Sequence, residues 1–498
     1  MSIKKLASQT FWYGFSNIFG RFLNYLLTPI LSTVFASAKY GDISILFAAA
    51  AFLQIIFTYG METSYFRFSN LYPDKERNVY DSGFSTMLIT TFVLTAILFI
   101  PAQGMADYMA LGQHPEYIKW VLIIVALDTL ATLPFSRLRH EGRPRKFAII
   151  KVLNIVTNIG LVIFFLVWCK GAYEQGEQSI WARIYDPSID IGYVFIANMA
   201  ASAITLLLLW KEIVSFSFSF DKQLLKEMMI YSTPLIIVGF GGMINETIDR
   251  FMITHLYPGT IDEARSANGI YSANAKLAVI ITLFITAFRM GAEPFFFKQS
   301  KEGDAVKTYA RVMKFFVITC CLCFLSVMLF LDIWKYFMGV RKHPEYLEGL
   351  TVVPLLMLGK LMLGIYYNLS IWYKLTNKNL MASYITIAGA AITIILNWLL
   401  IPYLGYMGCA IASLTCYTFM MVISYTQGQK HYPVPYAWKK LLAYILICII
   451  LFGIHQWIRA YSPNIWITHS AGVLMMLGFI GWVARIEKHE WIGLFRRG

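Results

Sequence analysis

The sequence predicts an all-α polytopic membrane protein of about 14 transmembrane helices, and three observations carry that prediction. The chain of 498 residues is 58% hydrophobic and only 14% charged, with a mean hydropathy of +0.59, more apolar surface than a soluble core hides. Apolar runs of about 20 residues, the length that crosses roughly 30 Å of hydrocarbon, recur from end to end without room for a soluble domain. His114-Pro115-Glu116-Tyr117 returns as His343-Pro344-Glu345-Tyr346, and the same offset of 229 residues carries Arg21 onto Arg250. The chain is therefore built twice.

Lipid offers no water to free backbone groups, so each run must be a helix. The spans lie at roughly 10–36, 41–66, 82–101, 118–136, 147–169, 190–210, 229–256, 266–288, 309–331, 348–373, 381–401, 405–426, 441–458 and 465–484. The first places Tyr13, Asn17, Arg21, Asn24 and Thr28 on one stripe and Phe, Leu and Ile elsewhere, which marks one wet face. On the second, Gln54, Thr58 and Glu62 align. The fourth carries Asp128 and runs into Arg137, Arg139, Arg143, Arg145 and Lys146, a cytoplasmic loop by the positive-inside rule. The sixth closes a first lobe, 1–215. In the linker that follows, Ser215-Phe216-Ser217-Phe218-Ser219-Phe220 alternates as a short strand does, but its run into Leu224 and Met228 predicts an interfacial segment. The seventh span aligns Gly239, Gly242, Glu246 and Asp249, with Arg250 beside them; the eighth aligns Asn268, Ser272 and Lys276, and the tenth Lys360, Gly364 and Asn368. Glycines on the seventh permit close packing or bending. The twelfth ends a second lobe, 222–428. Spans 13 and 14, within 437–498, have no counterpart in the repeat and are an addition.

An even number of spans separates the two copies, so both enter the membrane in the same direction. A parallel repeat of this kind places two six-helix lobes around a central cavity, related by a pseudo-twofold axis along the membrane normal. Gly41 and Gly269, followed by Ser44 and Ser272, give a third match at nearly the same spacing.

The net charge of +14 follows topology rather than forming a nucleic-acid surface. With a cytoplasmic N-terminus most of the 42 Lys and Arg lie on the cytoplasmic side, and Arg485, Lys488, Arg496 and Arg497 return there, so both termini are expected in the cytoplasm. Met1 leads straight into a long span, which predicts a retained first helix rather than a removable signal. All seven cysteines fall in or at the edge of apolar spans and read as small buried hydrophobes rather than metal ligands.

Seven ionisable residues sit well inside spans: Arg21, Asp128, Glu246, Asp249, Arg250, Lys276 and Lys360. A charge at the bilayer centre costs at least roughly 2.5 kcal/mol, so each needs a partner or a wet cavity. Structural pairing is one reading, Arg250 with Asp249 or Glu246, or Lys276 with Glu246. The other is a binding cavity with a surplus of cations, suited to an anionic group such as pyrophosphate that Arg chelates through its fork; its residues are then Arg21, Arg250, Lys276 and Lys360, with Asn17, Asn24 and Ser272 as polar lining. Asp128, Glu246 and Asp249 are candidates for a coupling Na⁺ or H⁺. Asp42, Glu62 and Glu293 stand near span ends, where capping and gating are both open. Nucleotide-binding loops, hydrolase elbows and zinc-protease motifs are absent from the sequence, so no cofactor and no enzymatic activity are expected.

Asn397-Trp398-Leu399-Leu400-Ile401-Pro402-Tyr403-Leu404-Gly405 through Gly408, the segment Phe15-Ser16-Asn17 to Gly20-Arg21, Thr28-Pro29 and Tyr40-Gly41-Asp42 resemble bacterial polysaccharide flippases. Over its full length the chain is similar to the Wzx-like branch of the multidrug, oligosaccharidyl-lipid and polysaccharide exporter superfamily, which includes MurJ and MATE transporters. The resemblance implies passage of an undecaprenyl-pyrophosphate-linked oligosaccharide from the cytoplasmic to the outer leaflet of a bacterial inner membrane by alternating access, with membrane lipid and a polysaccharide polymerase as expected partners. It implies cationic cavity roles for Arg21, Arg250 and Lys276, and a lipid-tail groove beside spans 13 and 14. A lipid II flippase, a MATE-like small-molecule exporter, a membrane-embedded glycosyl or acyl transferase and a non-transporting scaffold are the rival readings. The cationic surplus and two added spans count against the second, and the lack of a catalytic His or carboxylate constellation against the third.

Overall fold

A computed structural model describes residues 18–488 except 24, 178, 301, 377, 379 and 463. Among the described residues the chain is helical and carries no strand. Among the described residues twelve helices are long and apolar enough to cross a membrane, and two shorter apolar helices, Ile18–Val34 and Gly192–Leu208, lie where the first and sixth spans are expected.

The chain clusters into two compact units. The first takes in the chain up to Ala273 with Arg341–Tyr346 and Thr386–Cys409; the second comprises Asn274–Val340, Leu347–Ile385 and the chain from Ala410. The first unit thus extends past residue 215, because the helix Lys222–Leu256 packs against Ser37–Thr58.

In the first unit α1 (Ile18–Val34) precedes α2 (Ser37–Thr58) and α3 (Met61–Leu71), which together form the second span. The break has a backbone cause: Tyr59 at φ 34 and Gly60 at φ 72 are both left-handed, a conformation that ends a helix. Below it Tyr65, Phe68, Tyr80, Phe84 and Met228 form a buried core. Then come α4 (Glu76–Phe99), α5 (Pro115–His140), α6 (Pro144–Ile163), α7 (Gly192–Leu208), α8 (Lys222–Leu256) and α9 (Ile261–Ala275). The linker before α8 is irregular, not a strand; its amides Ser219 N and Asp221 N donate to Ser85 and Ser82. Asp221 then caps α8 by accepting from Leu224 N at 3.1 Å.

The internal repeat becomes a physical contact where α2 crosses α9. Ser37 Oγ and Ser266 Oγ are 2.6 Å apart and Ser44 Oγ donates to Ser272 Oγ at 2.7 Å. Between them Gly41 faces Gly269: a Cβ on either would stand 2.9–3.0 Å from the other's backbone nitrogen, and one on Gly269 would overlap the Ser37 carbonyl. Equivalent positions of the two copies meeting reciprocally is what a twofold axis through the crossing requires. Glu345, from the second His-Pro-Glu-Tyr copy, accepts from Ser37 N at 3.3 Å and so caps α2, while Tyr346 OH donates to Phe35 O at 3.0 Å.

The second unit contains the 3-10 turn Lys276–Ala278, α10 (Val279–Gln299), α11 (Ala305–Met328), α12 (Val353–Leu369), α14 (Tyr406–His431, from Ala410 onward), α15 (Trp438–Tyr461) and α16 (Ile465–Ile486). The helix between α12 and α14, α13 (Leu380–Leu404), passes into the first unit at Thr386. The two added spans, α15 and α16, pack on α11. Their anchor is Glu487, 2% exposed, which accepts from Lys314 Nζ at 2.5 Å, Tyr444 OH at 2.6 Å and Lys440 Nζ at 3.1 Å. Burial pushes its carboxyl up, but these three donors hold it below the ordinary glutamate value.

Candidate functional site

A cavity of about 560 Å³ opens inside the first unit, walled by α2, α3, α5, α6 and α7. Asp128 on α5 faces it, exposed to the cavity, and accepts from Ser202 Oγ on α7 at 2.7 Å. Lys151 on α6 supplies the nearby positive charge, with its ammonium 4.3 Å from the Phe135 ring centre. Toward the C-terminal end of α5 Arg139 pairs with Glu62 and lies over the Phe66 ring at 4.9 Å. Gln54, Asn154, Asn198 and Thr132 add amides and a hydroxyl, and Phe47, Phe147 and Phe195 add aromatic faces. Such a lining combines fixed hydrogen-bonding groups with flat apolar surfaces, the pattern by which a pocket orients a polar ligand.

A second polar cluster surrounds Asp249 on α8. Arg250 Nη1 donates to Asp249 Oδ1 at 2.5 Å and Tyr271 OH to Oδ2 at 2.6 Å, while Arg250 also donates to Glu246 O at 2.5 Å. Asn245 Nδ2 donates to Thr386 O at 3.2 Å and its Oδ1 accepts from Thr393 at 3.1 Å, tying α8 to α13. At the α2–α9 crossing Arg265 Nε donates to Asp42 at 2.8 Å.

These placements revise the reading of several predicted residues. Arg250 is not a surplus cation, since Asp249 neutralises it, and Asp249 has both oxygens engaged. Ser272, expected as cavity lining, is 1% exposed: the glycine crossing brings α2 so close that its hydroxyl is sealed against Ser44 and Asn268. Arg21 and Glu246 are exposed on α1 and α8. Lys276, exposed, begins the 3-10 turn that interrupts the eighth span, and Lys360 lies 5.3 Å over the Tyr417 ring; both belong to the second unit. Asn17, Asn24 and the side chain of Glu293 fall outside the described residues. Asp128 stands in the first-unit cavity, apart from the Asp249 cluster. Sequence reasoning missed Lys151, although Lys151, Asn154 and Asn158 recur at helical spacing on one face of the fifth span. It also missed Lys314, on the ninth span, as a buried cation. Among the described residues no group of three or more His, Cys, Asp or Glu is placed to hold a metal ion.

A family model described as "Polysaccharide biosynthesis protein" matches residues 6–300. Comparison with curated proteins finds no match. Among solved structures, a lipid II flippase, MurJ, in an inward closed conformation aligns over 94% of this chain and 98% of its own, at TM-score 0.63 and 16% identity. An inward-facing multidrug resistance MATE family transporter aligns over 85% and 95% at TM-score 0.65 and 12% identity. An outward-facing one aligns over 89% and 96% at TM-score 0.56 and 13% identity. At these identities the likeness is one of fold, and it covers nearly the whole of each chain.

Proposed function

The chain belongs to the polysaccharide biosynthesis protein family, and from that premise we propose that this multi-pass membrane transporter is a flippase for a polyprenyl-pyrophosphate-linked oligosaccharide, carrying it from the cytoplasmic to the outer leaflet of a bacterial inner membrane. The observation that carries the reading is the first-unit cavity. Its amides, hydroxyls and the Asp128, Glu62, Lys151 and Arg139 charges match the hydroxyl-rich edge of a sugar, and its phenyl faces match the apolar side of a pyranose ring. A drug-sized organic cation would call for unpaired acidic charge, whereas here each carboxylate is accompanied by a cation.

In this mechanism the glycan enters the cavity from the cytoplasmic side, where Arg139 and Glu62 flank the entry. Arg21, with Arg250 once released from Asp249, is the candidate of the first unit for the pyrophosphate, and Lys276 and Lys360 are the candidates of the second, because Arg and Lys neutralise phosphate oxygens without a proton transfer. The prenyl tail remains in lipid against the apolar faces of α15 and α16. Asp128 is the best placed of the three carboxylates to take a coupling H⁺ or Na⁺, since Asp249 is engaged and Asp128 faces open space beside Lys151. No covalent bond is made or broken, so the protein acts as a transporter and not an enzyme. The test is to delete the chain in the bacterium that makes it and locate the lipid-linked intermediates. Accumulation of pyrophosphate-linked oligosaccharide on the cytoplasmic leaflet is expected. Accumulation of lipid II instead would move the substrate to a wall precursor, and no accumulation of either would overturn the reading.

A further inference from the structure

A second concavity, of about 690 Å³, lies in the first unit, lined by none of the residues of the first cavity. One wall is the end of α1, with Pro29, Ile30 and Val34; the other is Leu166, Val167 and Lys170; and Lys342 and His343 stand at its rim. All three segments fall, by the positive-inside topology, on the outer side of the membrane. Two further observations single this groove out. Its second wall is a π-helical turn, Phe164–Cys169, a rare geometry that is concentrated at functional sites. Each π turn takes one residue more than an α turn, so it re-aims Lys170, whose ammonium lies 5.3 Å from the Phe35 ring centre at the groove edge. The charge is also unbalanced. Lys170 has a loose 3.8 Å partner in Glu174, which itself lines the groove, His343 is held by Glu345 at 3.5 Å, and Lys342 has no ion-pair partner among the described residues, which leaves it as the surplus cation.

We propose that this groove binds an anionic phospholipid of the outer leaflet, its headgroup phosphate between Lys170 and Lys342 and its first acyl carbons along Ile30, Val34, Leu166 and Val167. The apolar floor selects a lipid over a free anion, because inorganic phosphate would leave that surface wet and gain only the charge term. The cationic surplus selects an anionic headgroup over a zwitterionic one. The long aliphatic stems of the lysines lie along the apolar wall while their ammonium groups reach the headgroup plane. The site is separate from the glycan cavity, and the inference does not rest on what the protein transports.

The experiment is native mass spectrometry of the full-length protein released from nanodiscs containing phosphatidylglycerol or phosphatidylcholine. Wild-type protein should retain phosphatidylglycerol in preference to phosphatidylcholine. The double variant Lys170→Gln/Lys342→Gln should lose that preference by roughly 30-fold, the effect of two lysines at a lipid surface, and Val167→Asn should weaken retention without changing the charge. Arg183→Gln, an exposed outer cation outside the groove, should behave as wild type. Equal retention of the two lipids by wild-type protein, or an undiminished preference in the double variant, would overturn the proposal. Displacement of phosphatidylglycerol by soluble pyrophosphate would overturn the lipid assignment, and displacement only by polyprenyl pyrophosphate would reassign the groove to that lipid.

Discussion

Substituting Gly269 by Ala should hold α2 and α9 apart where they cross. A Cβ at Gly269 would overlap Ser37 O and stand 2.6 Å from Ser37 C and 2.9 Å from Gly41 N, all backbone atoms that cannot rotate away. The helices must therefore separate by roughly an ångström or more, or distort, and overpacking of this kind costs about 1–3 kcal/mol. The cost falls only on the state in which the crossing is closed. Alternation between closed and open outer ends should shift toward the open end by about 5- to 150-fold, the ratio corresponding to that energy. Ser37, 4% exposed at the crossing, is the reporter: in a Ser37→Cys background, a membrane-impermeant maleimide applied from outside should react slowly, and Gly269→Ala should accelerate it by a factor in that range. Gly41→Ala, the equivalent position in the other copy, should do the same. Unchanged labelling at normal abundance would refute the idea that this crossing is the closed outer gate.

Other consequences follow from the ion pairs. Glu487→Ala removes the buried carboxylate shared by Lys314, Tyr444 and Lys440 and should cost about 3–5 kcal/mol, read as a lowered melting temperature and early proteolysis of α15 and α16; unaltered melting would show that other contacts anchor them. Because the folded state holds Glu487 below its ordinary value of 4.5, its contribution is complete above about pH 4.5 and is lost as pH falls through the lower folded value. Glu487→Gln should therefore flatten the loss of melting temperature on acidification, and an identical pH profile would contradict the assignment. Arg21→Ala should abolish flipping at normal abundance. Arg250→Ala should reduce abundance as well, because Asp249 loses its cation, and Asp249→Asn added to it should restore abundance without restoring transport; full transport by either arginine variant would dismiss the pyrophosphate role. Asp128→Asn should remove the dependence of flipping on pH or Na⁺, whichever couples, and a persisting dependence would place coupling elsewhere.

Much of this architecture is legible in the chain because membrane helices obey a coarse rule, length and apolarity, that survives tertiary packing. The repeat is legible from the His-Pro-Glu-Tyr copies and the Arg21–Arg250 offset, and its third match has a physical reason, since Gly41 and Gly269 must both lack a side chain to let their helices touch. The site was less legible. Arg250 looks like a surplus cation when charges are counted along the chain, but its neutralising partner is its own neighbour Asp249, in a geometry that depends on Tyr271 reaching across from α9. Ser272 shares a helical face with Lys276, yet helical spacing cannot say which part of a face is covered by another helix. Lys151 carries a readable signal in its alignment with Asn154, but it lies near the start of a span, where lysines commonly snorkel and such a signal is ambiguous. Glu487 and Lys314, 173 residues apart, have no local pattern linking them.

The central claim is that this chain moves a glycan headgroup across a bilayer, and reconstitution tests it most directly. Liposomes containing the purified protein and a fluorescent polyprenyl-pyrophosphate oligosaccharide are treated with a membrane-impermeant reagent that bleaches only label on the outer leaflet. The account predicts that protein-containing vesicles expose the whole pool with time under an imposed pH or Na⁺ gradient, and that Arg21→Ala vesicles expose only the outer-leaflet share. Exposure no greater than in protein-free vesicles, under either gradient and with the protein folded, would contradict it.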